Sequence, residues 1–285
     1  MQLFSSKPLI LDGAMGTLLQ SAGLPAGASP DMWNLEKPEE IARVHRAYLD
    51  AGANLILANT FSANAERHRH DGGDAAALAR AGAEIAVRVK QSAKQPCFVG
   101  LDVGPLGVFL EPLGDMEEAE AEAIFAEPIE AAADTGIDCV FVETMCDVTE
   151  ACCAVRAATR AGKGLPVFCT MSFDARGRLM TGADIETTAK ALLEAGADAI
   201  GCNCGVGPDA LLPLLPQFLA ATTLPLIMKP NAGLPVWRDG KTCYDVSPEA
   251  FAADMKKLFD GGVWALGGCC GTTPAHIAAV AGLCR

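Results

Sequence analysis

The chain has 285 residues, of which 51% are hydrophobic and 20% charged, and its formal net charge is −13. That length can bury a large core, and the composition excludes a disordered chain. An acidic balance without a basic cluster argues against nucleic acid or an anionic membrane as partner. No apolar run approaches the roughly 18 to 20 residues of a membrane span. The opening Met1-Gln2-Leu3-Phe4-Ser5-Ser6-Lys7 leads into a strand-like segment and does not resemble a signal peptide. A cytoplasmic chain with no membrane contact is expected. Twelve cysteines in such a chain point to thiols, metal or catalysis rather than a disulfide framework. Cys97, Cys139, Cys146, Cys152, Cys153, Cys169, Cys243 and Cys284 are read as small buried hydrophobes.

In chain order, short apolar runs alternate with longer amphipathic segments. Strands are expected at residues 9–11, 54–58, 97–101, 139–142, 167–171, 199–201, 225–228 and 263–266. Helices are expected at 38–50, 74–92, 117–134, 147–160, 184–195, from about Pro208, at 247–259 and from Pro274 to about Leu283. The first is opened by Pro38 with acidic neighbours, and that at 247–259 by Ser247 as cap with Pro248 in its first turn. Residues 12–34 read as irregular. Pro128 should kink or divide the helix at 117–134. Eight strand–helix units with near-continuous apolar strands imply parallel strands buried on both faces. In one chain of this length they imply a single (β/α)8 barrel, residues 1–285 forming one domain. A doubly wound open sheet would favour Gly-x-Gly-x-x-Gly after the first strand, and Asp12-Gly13-Ala14-Met15-Gly16-Thr17 lacks that spacing.

The C-terminal strand ends form the active face of such a barrel. They carry Asp12, Asn59, Asp102, Glu143, Cys202 to Cys204, Asn231 and the pair Cys269-Cys270. His45, His68, His70 and His276 fall elsewhere, which excludes a His-rich metal site or histidine acid–base pair. Two cysteines after the last strand and one or two after the sixth could converge on one ion. Three thiolates with an open fourth position form a catalytic zinc arrangement. The spacing alone leaves packed cysteines, or a redox pair of Cys202 and Cys204, as alternatives.

Several motifs together resemble the homocysteine-binding domain of the homocysteine S-methyltransferase family. They are Asp12-Gly-Ala-Met-Gly-Thr17, Asn34-Leu-Glu-Lys-Pro38, Asn59-Thr60-Phe61-x-x-Asn64, Gly104-Pro-Leu-Gly107, Phe141-Val-Glu-Thr144, Gly201-x-Asn-Cys204, Pro230-Asn-Ala-Gly-x-Pro235 and Gly267-Gly-Cys-Cys-Gly-Thr272. They span essentially the whole chain, and the first half is most similar to cobalamin-dependent methionine synthase. The resemblance implies zinc thiolates at Cys204, Cys269 and Cys270, with Asn231 as a displaceable fourth ligand and Cys202 as a bystander. It implies that Asp12 and Glu143 meet the amino group of homocysteine and that the Gly13 and Ala14 amides meet its carboxylate. Asn59 and Asn203 belong to the same expected substrate site. A zinc-activated thiolate would then take a methyl group to give methionine. No Asp-x-His-x-x-Gly corrinoid motif occurs in the 285 residues. A separate methyl-corrinoid protein is therefore the expected donor, with cobalamin entering only through that partner. The alternatives are a small donor such as S-methylmethionine or a betaine, or a non-catalytic zinc- or thiol-binding protein.

Overall fold

Parallel strands alternate with helices in a computed structural model of the protein, which describes residues 8–25, 27–238 and 241–284. The strands are β1 (Leu9–Ile10), β2 (Leu55–Leu57), β3 (Phe98–Val103), β4 (Cys139–Met145), β5 (Val167–Met171), β6 (Ala199–Asn203) and β7 (Leu226–Lys229). An antiparallel hairpin of β8 (Val236–Arg238) and β9 (Lys241–Cys243) precedes β10 (Ala265–Leu266). Neighbours in the large sheet run β1-β10-β7-β6-β5-β4-β3-β2. A bridge from Leu11 to Leu55 joins the two ends, with Asn54 N–H donating to Ile10 O at 2.7 Å and Asp12 N–H to Leu55 O at 3.1 Å. The expected (β/α)8 barrel is present. The reading of residues 1–7 lies outside the described residues.

Strand alternation sorts the core into two layers. Leu9, Leu11, Leu55, Leu57, Phe141, Phe168, Ile227 and Ala265 fill the barrel, where Phe168 meets Phe141 and Trp264 edge-on. Their neighbours Ile10, Ile56, Val99, Val140, Cys169, Ile200, Met228 and Leu266 pack outward against the helices. Burying each large apolar side chain contributes about 1.5–3 kcal/mol. One step beyond the apolar filling, the inward positions turn polar: Asp102, Glu143, Thr170, Asn203 and Lys229 are all buried. That polar layer is the floor of the site.

The helices differ from expectation in two places. Residues 12–34 contain a helix at Met15–Ser21 and a helical turn at Pro30–Met32, followed by Trp33–Glu36. The first has Ala14 at its N-cap and no side-chain cap, so the usual start signal is missing. Pro128 does not divide its helix, which runs unbroken over Glu118–Ala132. Phe125, Pro128, Ile129 and Ala132 make one buried face, and that packing outweighs the lost backbone donor. The hairpin of β8 and β9 was also unanticipated, although Asp239-Gly240 between alternating residues is a hairpin signature.

Candidate active site

The cysteine cluster is built by two strand ends that lie either side of β7. Cys204 follows β6 with φ 59° and donates its N–H to Lys229 O at 3.1 Å. Cys269 donates its N–H to Pro230 O at 2.8 Å, and Cys270 O accepts from Ala232 N–H at 3.0 Å. Thr272 closes the turn with Oγ1 donating to Cys269 O at 2.7 Å. Gly271 has φ 80°, and a Cβ there would lie 2.1 Å from the Tyr244 ring, so the turn admits only glycine. The result brings the Sγ atoms of Cys204, Cys269 and Cys270 within 4.8 Å of one another. Hydrogen bonds from Cys269 and Cys270 hold the Cys204 thiol far below its ordinary range, and the same contacts raise Cys269.

The donor set fits a metal ion. Asn231 is buried beside the cluster and hydrogen-bonds Cys204, while its Oδ1 has no partner. A buried amide oxygen without a partner costs free energy unless something else satisfies it. Three sulfurs and one oxygen are a set that a tetrahedral ion accepts. Cys202 stands apart. It packs outward into the helix-facing core, and burial pushes its thiol up to about 12. That is the reverse of the low-pKa thiol a Cys202–Cys204 redox pair needs.

The sulfurs open onto a cavity of about 300 Å³ whose lining also includes Asp12, Asp102, Glu143 and Lys229. Lys229 Nζ lies 2.5 Å from Glu143 Oε2 and 4.9 Å from the centre of the Phe141 ring. Burial opposes the charge on Lys229, but Glu143, Asp12 and Asp102 together raise its pKa above the ordinary value. Burial raises Asp12 to about 7, with Lys229 and a 2.8 Å hydrogen bond from Leu57 N–H partly offsetting it. Asp102 is also raised, by burial and by Glu143, and its Oδ1 has no partner. Three carboxyl groups thus face one lysine, and Asp102 Oδ1 is left without a partner.

The remaining expected residues are placed unevenly. Gly13 and Ala14 line the cavity, but Ala14 N–H already donates to Thr272 Oγ1 at 3.2 Å. Asn59 lines the cavity too, and its amide donates to Pro30 O and Asn34 Oδ1, tying down residues 30–34. Asn203 is a correction: it is fully buried and its amide is saturated by Thr144, Thr170 and Cys269. It cannot also hold a substrate. Lys229 and Asp102 gained no role from the sequence. Their signal was a charged residue at an inward strand position, directly above the apolar filling.

Convergent thiols and buried carboxyl groups at the C-terminal mouth of a (β/α)8 barrel define a class of barrel whose cysteine cluster could hold a metal ion. The homocysteine S-methyltransferase family model matches residues 9–284, and the chain belongs to that family. It is 33% identical over 304 aligned residues to the methionine synthase of Mycobacterium tuberculosis (strain ATCC 25618 / H37Rv), covering 99% of this chain and 25% of that protein. It is 32% identical over 297 residues to that of Mycobacterium leprae (strain TN), covering 99% and 24%. The chain therefore spans about a quarter of the length of these relatives. The homocysteine methyltransferase MmuM from Escherichia coli, solved in a metallated form, superposes with a TM-score of 0.82 at 25% identity, covering 99% of this chain and 98% of that one.

Proposed function

We propose that the protein is a zinc-dependent methyltransferase that methylates homocysteine to methionine. The observation that carries this reading is the single cavity lined by both the three thiols and the buried carboxylates. An acceptor with a thiol at one end and an ammonium at the other satisfies both. Cys204, Cys269 and Cys270 would hold the zinc, with the unpartnered Asn231 Oδ1 as the fourth donor. Bound zinc supplies thiol activation, keeping the acceptor sulfur deprotonated and electron-rich at neutral pH. Asp12 and Glu143, with Asp102 beside them, take the ammonium. The Gly13 N–H faces the substrate carboxylate, while Ala14 N–H is committed to Thr272 and so shapes the turn. Lys229 pairs with Glu143 and so fixes the position of its carboxylate.

For the methyl donor we favour a separate methyl-corrinoid protein, supported by the 33% identity to a methionine synthase that is four times longer. The near end-to-end match to a homocysteine methyltransferase of similar length favours a second reading, in which the donor is a small onium compound such as S-methylmethionine or a betaine. Incubating zinc-loaded protein with homocysteine and each donor separates them. Methionine should form with a methyl-corrinoid protein and not with S-methylmethionine or betaine alone; turnover with S-methylmethionine by itself contradicts the corrinoid reading. All twelve cysteines are free, and among the described residues no helix is long and apolar enough to cross a membrane. Both observations support a place in the reducing cytoplasm.

A further inference from the structure

Glu143 and Thr144 occupy a break in the sheet. Val142 pairs with Cys169 and Met145 with Met171, so β4 carries one residue more than β5 between those pairs. This is a β-bulge, a device that re-aims side chains. Its effect can be read from the layers. Val142 and Met145 both pack outward in the helix-facing core, whereas strict alternation would turn Met145 inward. The extra residue lets Glu143 and Thr144 both face the cavity.

The bulge depends on Thr144 adopting φ 62°, a left-handed conformation that a β-branched residue avoids. Asn203, reaching across from β6, holds it there. Its Oδ1 accepts from Thr144 N–H at 2.8 Å, and its Nδ2 donates to Thr144 Oγ1 at 2.7 Å. Thr170 Oγ1 donates to the same Oδ1 at 2.8 Å, which fixes the amide orientation. The second amide hydrogen lies toward Cys269 Sγ at 3.8 Å. Asn203 is also the residue immediately before Cys204, itself left-handed at φ 59°. One buried side chain therefore touches the bulge that aims a carboxylate and the cluster that gathers the thiols.

We propose that Asn203 is a positioning residue that clamps the Thr144 bulge, thereby aiming Glu143 at the substrate ammonium and holding that ammonium pocket in register with the thiolate cluster. The proposal rests on the homocysteine reading above. It assigns Asn203 no contact with substrate. It predicts loss of discrimination for the amino group of the acceptor rather than loss of thiol binding.

The test compares zinc-loaded wild type, Asn203→Ala, Thr144→Gly and the double variant. Zinc stoichiometry, unfolding midpoint and calorimetric Kd are measured for L-homocysteine and for γ-mercaptobutyrate, its des-amino analogue. Asn203→Ala should keep its zinc and bind L-homocysteine about tenfold or more weaker, the scale of a lost charged hydrogen bond. Its affinity for γ-mercaptobutyrate should stay within about twofold. In the Thr144→Gly background the same change should cost less, because glycine adopts the left-handed conformation without a clamp. Equal weakening of both thiols, an unchanged homocysteine Kd, or the same loss in the glycine background overturns the proposal. Should the alanine variant fail to fold, Thr144→Val removes one clamp hydrogen bond at constant shape. It should lose the same selectivity by several fold, and unchanged selectivity overturns the clamp. A wild type that binds the two thiols equally removes the homocysteine reading instead. The clamp is then judged on the unfolding midpoints, where coupled losses support it and independent losses overturn it.

Discussion

At the scale of single residues, the site is a balance of buried charge. Lys229 and Glu143 form a contact of 2.5 Å with almost no solvent at either side chain. Removing one member of such a pair leaves an uncompensated charge and costs about 3–5 kcal/mol. Lys229→Met should therefore lower the stability measured by urea unfolding by that amount, and adding Glu143→Gln should restore part of it. A loss below about 1 kcal/mol would mean that the pair is not buried as described. Asp12 carries a different prediction. Its carboxyl is raised to about 7 in the free site, so it is neutral below that pH and ionised above it. An ammonium ligand needs the ionised form, so homocysteine affinity should fall as pH drops through about 7. Asp12→Asn should bind about 10- to 100-fold more weakly at neutral pH and lose that part of the pH dependence. Calorimetric titration at several pH values reads both effects. A variant with the wild-type pH profile would contradict the assignment.

At the scale of elements, function sits where regular strands stop being regular. The runs around Ile56, Val140 and Ile200 are apolar enough to be read as buried parallel strands, and the structure has β2, β4 and β6 there. Gly201 explains how closely β6 approaches its neighbour β7. A Cβ at that position would lie 1.8 Å from Ile227 O, in the backbone of β7. Gly201→Ala should push β6 from β7 and cost at least about 1–3 kcal/mol, the range for overpacking. It should also weaken zinc retention, because Cys204 and Asn231 follow those two strands. Unchanged thermal stability and zinc content would contradict this. The strand ends were legible because charged and thiol residues interrupt apolar runs at Asp12, Glu143, Cys204 and Cys269. The bulge was not legible, since a threonine at positive φ has no sequence signal and its partner Asn203 is 59 positions away. The pairing of Lys229 with Glu143, 86 positions apart, was hidden for the same reason. The helix Met15–Ser21 lacked a capping side chain to announce it.

At the scale of the molecule, barrel closure turns sequence distance into proximity. Cys269 lies 66 positions from Asn203 and 65 from Cys204 along the chain, yet β6, β7 and β10 are consecutive staves. The order of strands alone sets their ends side by side, and the glycine-rich turn after β10 then directs two sulfurs toward the third. The eightfold alternation made this architecture readable, and the resemblance in eight short motifs singled out the three cysteines whose sulfurs converge at its mouth. Sequence reasoning did not foresee that the pocket opposite them holds three carboxylates around a lysine. The central claim is that three cysteine sulfurs hold zinc and leave one position for the acceptor. Zinc-edge X-ray absorption of the purified protein, without and with L-homocysteine, tests it directly. The account predicts three sulfur neighbours and one oxygen or nitrogen neighbour in the free protein, changing to four sulfurs on adding homocysteine. A protein without zinc, or a zinc environment that homocysteine leaves unchanged, would contradict it.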